Sequence, residues 1–196
     1  MILFVTTADT DLLTADRALQ AMPADFPEVK AFNPANLSPS DLSNGGVHQE
    51  ILTAAAEADV VVLRLLGGKR AMPETFDPLV RLCHEKGTPL IACPGHQEWD
   101  QELVTACTVP PSELDTVFSY LIQGGVINFQ NLFLFLSDSY LGSNYGHEAP
   151  SDVPWEGVYH PDEADGIDAQ DFISRRFQPG RPNVAVLFYR AHWMSG

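Results

Sequence analysis

Apolar positions along the chain switch repeatedly between two spacings. Ile2–Thr6 is a β-branched and aromatic run ending at Ala8-Asp9-Thr10-Asp11, after which Leu12, Leu13, Ala18, Leu19 and Met22 recur with helical spacing. Val29–Phe32 reads as a weaker strand. A loop with Asn33-Pro34 and Asn36 follows it, then a helix through Val47, Ile51, Leu52 and Ala55 that ends near Ala58 and has Gly45-Gly46 at its start. Asp59–Leu66 is the clearest strand. It is apolar throughout except for Arg64, as a parallel strand covered on both faces must be. Gly67-Gly68 ends it in a turn needing positive φ. A helix is expected between about Pro73 and Lys86, with Pro78 in its first turn and Gly87 just past its end. Pro89–Cys93 is the next strand, closed by Pro94-Gly95.

Strands alternating with helices of this length form βαβ crossovers, so the pattern predicts an α/β fold with a doubly wound parallel sheet, flavodoxin-like or Rossmann-like. Ser112 reads as an N-cap with Asp115 at N3, opening a helix that reaches Gln123. After Gly124-Gly125 an apolar helix runs from Val126 to about Tyr140. Between 142 and 181 glycine, proline, asparagine and tryptophan take over. Periodicity fades except for an amphipathic stretch, Ala169–Phe177, so this part reads as a linker crossing the surface. Pro182–Arg190 again has the pattern of a buried strand. A lone strand cannot make a domain, so the division expected is an α/β domain at 1–141, a linker at 142–181 and the first strand of a second, truncated domain at 182–196.

Composition narrows the partners. Against 11 basic residues stand 26 acidic ones, a formal charge of −15 that repels phosphate backbones and argues against nucleic acid and anionic membranes. No apolar run is long enough to span a bilayer and the start lacks a signal-peptide pattern, so the expected location is cytoplasmic. Cys83, Cys93 and Cys107 lack C-x-x-C spacing and suit structural thiols in a reducing compartment.

Candidate chemistry is sparse. Gly67-Gly68 lies at a strand's carboxyl edge, where open α/β sheets bind ligands, yet neither G-x-G-x-x-G nor a Walker loop is present. Asp9 and Asp11 could hold Mg²⁺ or, as two loop carboxylates more commonly do, cap the helix. The histidines have no metal-ligand spacing, and no metal site is assigned. Tyr189-Arg190-Ala191-His192-Trp193 differs, because a guanidinium fork and an imidazole emerge together at the end of an apolar run. The cluster suits carboxylate recognition, or else a packed strand end.

Phe188-Tyr-Arg-Ala-His-Trp-Met-Ser-Gly196, with Pro182-Asn-Val-Ala-Val before it, resembles the strand and turn opening the second region of cobaltochelatase large subunits of the CobN type and of the related magnesium chelatase H subunits. Arg64-Leu-Leu-Gly-Gly68, Tyr120-Leu-Ile-Gln-Gly-Gly125 with Asn128 and Asn131, and Gly157-Val-Tyr-His-Pro161 carry the same resemblance. It implies an N-terminal piece of a much larger subunit that binds the corrin precursor hydrogenobyrinic acid a,c-diamide while cobalt, a substrate, is inserted. ATP and Mg²⁺ then belong to an AAA+ ATPase partner acting with a second accessory subunit. The resemblance also implies that Tyr189, Arg190 and His192 contribute to substrate binding, that the catalytic residues lie elsewhere, and that this piece alone is inactive. Two alternatives stand beside it: a magnesium chelatase H subunit acting on protoporphyrin IX, and a free-standing flavodoxin-like binding module.

Overall fold

The computed structural model describes residues 1–36, 46–163 and 166–195; Gly45 and Gly196, singled out above, lie outside them. Four strands, β1 (Ile2–Thr6), β2 (Val29–Phe32), β3 (Val60–Leu65) and β4 (Leu90–Pro94), form one parallel sheet in the order β2-β1-β3-β4. The register pairs Ile2 with Val29 and Val60, and Val61 with Leu90. Helices α1 (Asp9–Gln20), α2 (Gly46–Glu57) and α3 (Phe76–Lys86) are the crossovers. α4 (Gln101–Ala106), α5 (Pro111–Gln123) and α6 (Gly125–Tyr140) follow the last strand.

Alternate residues of each strand feed two separate cores, which is why the strands read as continuous apolar runs. Ile2, Phe4, Val60, Val62 and Ile91 point to the face covered by α1, α5 and α6. There the Phe4, Phe129 and Phe133 rings meet edge to face, with centroids 5.9 to 6.3 Å apart. Leu3, Val5, Val61, Leu63 and Leu90 point to the opposite face under α2, α3 and α4. β2, at the edge, is only half-buried.

The doubly wound sheet is therefore as the pattern requires, and several local expectations are met. Gly67 and Gly68 have φ of 94° and 63°, and Gly87 ends α3 at φ 71°. Others need correction. Ser112 does not cap α5: Pro110 holds the N-cap and Pro111 the first helical position, where its missing N–H is not required. α4 was not foreseen; six residues are too few to show a helical period, and its marker is Asp100, whose carboxylate caps the Glu102 and Leu103 amides.

The linker is more tightly held than its composition suggests. Asp138 accepts hydrogen bonds from the Tyr145 and Gly146 amides and the Ser143 hydroxyl. Further on, α7 (Ala169–Arg176) packs back through Arg176 to Glu163, and a single antiparallel bridge joins Val158 to Ile167.

The segment expected as a buried strand, 182–190, lies outside the sheet and has no regular secondary structure before Arg190. Val184, Leu187 and Tyr189 are 87%, 98% and 81% exposed. Arg190 then opens a short helix, α8 (Arg190–Met194), instead of closing a strand. The sheet edges are β2 and β4, and among the described residues no strand lies beside 182–189 to complete a ladder.

Candidate functional site

The sheet changes direction between β1 and β3, since their crossovers leave on opposite sides. At the carboxyl edge of such a pair the two connections diverge and leave a crevice. Here the crevice is a pocket of about 170 Å³ whose floor is Thr6, Asp11 and Arg64. Arg64, the one polar side chain of β3, sends Nη1 to Asp11 Oδ1 at 2.8 Å, with only 15% and 10% of the two side chains exposed. Thr6 Oγ1 donates to the other Asp11 oxygen at 2.6 Å. Burial raises the Asp11 carboxyl above the usual range, opposed by the Arg64 charge and the Thr6 hydroxyl.

Asp9 and Asp11 thus do not act together. Asp9 accepts from Asn33 and Asn36 at 2.7 and 3.0 Å, and those bonds lower its pKa. Nor does either cap α1, whose N-cap is Ala8. Among the described residues no group of three or more histidine, cysteine, aspartate or glutamate side chains is arranged to hold a metal ion.

The pocket's far wall comes from the last described residues. Ala191 and Met194 of α8 line it together with Gly124 and Gly125. A Cβ built on Gly124 would meet Met194 Cε at 2.9 Å, so the α5–α6 turn and α8 touch with no room to spare.

Arg190 holds α8 there. Its Nε donates to Pro154 O at 2.9 Å. Nη2 donates to Gln123 O and Val153 O at 2.6 and 3.1 Å, and Nη1 to Ile122 O at 3.4 Å. The guanidinium also lies over the Trp155 ring, 4.3 Å from its centroid. Its donors are spent on the backbone carbonyls ending α5 and on the linker, with the fork turned inward. Burial and the nearby Arg64 charge lower its pKa. Tyr189 and His192 point the other way: both are exposed and their rings stack at 6.3 Å and 29°.

Residues 118–196 match the family model described as CobN/Magnesium Chelatase. The chain is 29% identical over 191 residues to the aerobic cobaltochelatase subunit CobN of Pseudomonas aeruginosa, covering 97% of this chain and 15% of that protein. It is 26% identical over 161 residues to the magnesium-chelatase H subunit of Chlorobaculum parvum, covering 76% of this chain and 13% of that one. Among solved structures, the catalytic subunit of cobaltochelatase from Mycobacterium tuberculosis matches with a TM-score of 0.64 and 29% identity, over 99% of this chain and 14% of that chain. These likenesses lie to CobN and magnesium-chelatase H subunits, and the family model covers residues 118–196 of the chain. The chain spans about 15% of the length of the curated relatives it matches.

The geometry gives a physical reason for the residues that carried the resemblance to CobN and magnesium chelatase subunits. Buried Asn128 donates to Gly124 O and Ser151 O and accepts from the Ser151 amide and hydroxyl, which uses its whole amide group. Asn131 accepts from the Glu148 amide at 2.8 Å, Gln123 accepts from the Val153 amide at 3.1 Å, and the Tyr120 hydroxyl donates to Glu148 O. Tyr120, Gln123, Asn128, Asn131 and Arg190 together clamp residues 148–154 between α5, α6 and α8. The sequence concealed the Asp11–Arg64 pairing across 53 positions. Its signal was the lone charge in a strand covered on both faces, which requires a partner.

Proposed function

We propose that this chain is part of the tetrapyrrole-binding large subunit of an ATP-dependent cobaltochelatase, which inserts cobalt into hydrogenobyrinic acid a,c-diamide in cobalamin biosynthesis. The observation that carries this reading is the likeness to the P. aeruginosa CobN along 97% of the chain, against 76% for the magnesium-chelatase relative. Cobalt is a substrate in this reading. ATP and Mg²⁺ belong to an AAA+ partner working with a second accessory subunit, in the cytoplasm. No helix among the described residues is long and apolar enough to cross a membrane, which is compatible with that location.

Within the larger protein the α/β body is a scaffold. Tyr189, Arg190 and His192 serve substrate binding as a unit, with Arg190 positioning α8 while the stacked Tyr189 and His192 rings face outward, free to meet the macrocycle. Residues 182–189 open a second domain. Val184, Val186 and Phe188 make one apolar face and Ala185, Leu187 and Tyr189 the other, the pattern of a strand inside a parallel sheet. Amide exchange in the full-length subunit checks this, because pairing protects 183–189 and rapid exchange there refutes it.

The function is tested by titrating the full-length subunit with hydrogenobyrinic acid a,c-diamide and with protoporphyrin IX, followed by absorbance. Saturable binding of the corrin precursor in preference to protoporphyrin is expected. The reverse preference establishes the magnesium branch, and binding of neither refutes the tetrapyrrole reading.

A further inference from the structure

We propose that the pocket between β1 and β3 is a subsite that receives one carboxylate arm of the tetrapyrrole on Arg64; this inference rests on the function proposed above. Size is the first reason. A pocket taking a whole drug-sized ligand encloses about 300–1,000 Å³. The 170 Å³ here excludes a macrocycle but admits an arm of acetate or propionate length.

The donors are the second reason. Arg64 uses Nη1 on Asp11, and among the described residues its Nε and Nη2 have no protein acceptor. At 15% exposure they can be solvated only through the pocket. The Thr10 hydroxyl lines the same space and has no protein partner among the described residues. A carboxylate needs two convergent N–H donors, and a guanidinium edge supplies them in parallel.

Charge is the third reason. The charged groups lining the pocket are Arg64 and Asp11, and the Arg64 charge reaches the Arg190 guanidinium nearby. Arg64 is thus a buried cation with one carboxylate partner, in a chain whose formal charge is −15, and Arg190, spent on backbone carbonyls, adds positive charge nearby without taking Asp11. Asp9, the next acid, is turned to Asn33 and Asn36. The starts of α1 and α6 abut the same space, and neither has a side-chain cap, so their amide ends add positive potential. Leu66, 59% exposed, also lines the pocket and offers an apolar surface on which a ring edge can rest while its arm points inward.

Phosphate shares this chemistry, so the test separates the two sources. The full-length subunit is titrated with hydrogenobyrinic acid a,c-diamide and with an analogue whose remaining carboxylates are amides. Wild type is compared with D11N/R64Q, which removes both charges and leaves no unpaired buried ion, and with L66W, which narrows the mouth and leaves the ion pair intact. A charge-assisted pair is worth about 1.5–3 kcal/mol, so both variants should lose roughly 10- to 100-fold in affinity for the acid and little for the amide. Unchanged acid affinity in both variants overturns the subsite while leaving the proposed function standing. Inorganic phosphate that stabilises wild type and not D11N/R64Q, with acid affinity unchanged, reassigns the pocket to free phosphate and also overturns it. Wild type that binds neither tetrapyrrole overturns the proposed function and this inference with it.

Discussion

Replacing Arg64 by methionine removes the countercharge of Asp11 while keeping most of the aliphatic stem that crosses the sheet. Breaking a buried ion pair from one side costs about 3–5 kcal/mol, whereas an exposed pair is worth about 0–1 kcal/mol. With 10–15% of the two side chains exposed and the Thr6 bond still in place, the lower end of the buried range applies, about 3 kcal/mol. D11N keeps a partner for Thr6 but strands the guanidinium, at about 2 kcal/mol. The double variant R64M/D11N leaves no ion in the core and should cost about 3 kcal/mol rather than the sum of the singles, a coupling of about 2 kcal/mol.

The pH dependence supplies an independent check. Burial raises Asp11 in the folded state above its unfolded value. The native chain therefore takes up this proton more readily than the unfolded chain, and the cost of the buried carboxylate is felt above the folded pKa. That cost is relieved as pH falls through the folded pKa. In R64M the opposing charge is gone and the folded pKa rises further, so the loss of stability should shrink as pH falls from 7 to 5. Urea unfolding of this chain and the three variants, followed by circular dichroism at both pH values, measures all of these quantities. Additivity within about 0.5 kcal/mol, or an R64M loss independent of pH, would refute the reasoning.

Other consequences follow from the same contacts. Gly124 sits at φ 66° and ψ −166°, a conformation essentially reserved for glycine, so Gly124→Ala should cost about 1–3 kcal/mol. It should also push Met194 away, seen as faster amide exchange in 190–195. Arg190→Ala should cost about 2 kcal/mol and free the amides of α8. Arg190→Lys should not restore them, because one ammonium cannot span the carbonyls of Ile122, Gln123, Val153 and Pro154; full protection in the lysine variant would contradict this. Burial pushes the Cys83 thiol up to about 11, Cys93 higher still and Cys107 upward. At pH 8 about one thousandth of Cys83 is thiolate, so a disulfide thiol reagent should label the cysteines only after denaturant is added.

The sheet could be read from the chain because strands covered on both faces leave a local record. Ile2–Val5, Val60–Leu63 and Leu90–Cys93 are apolar without alternation, and the glycines at 67, 68 and 87 mark turns that only positive φ can make. α4 left no such record, since one helical turn and a half shows no period. Apolarity alone could not say whether Val184–Tyr189 lies inside a sheet. A strand is defined by its neighbour's backbone, and none of the described strands runs beside this one.

The candidate site depended on tertiary structure almost entirely. Sequence put Asp11 at the end of β1 and Arg64 near the end of β3, and a charge in a covered strand must find a partner. Only the parallel register, setting Thr6 opposite Arg64, made Asp11 that partner. Likewise the chain showed Arg190 and His192 side by side in sequence. It took the closing of α8 on the α5–α6 turn to send the guanidinium inward to four carbonyls and leave the imidazole outside, because one direction offered unpaired backbone oxygens and the other only water.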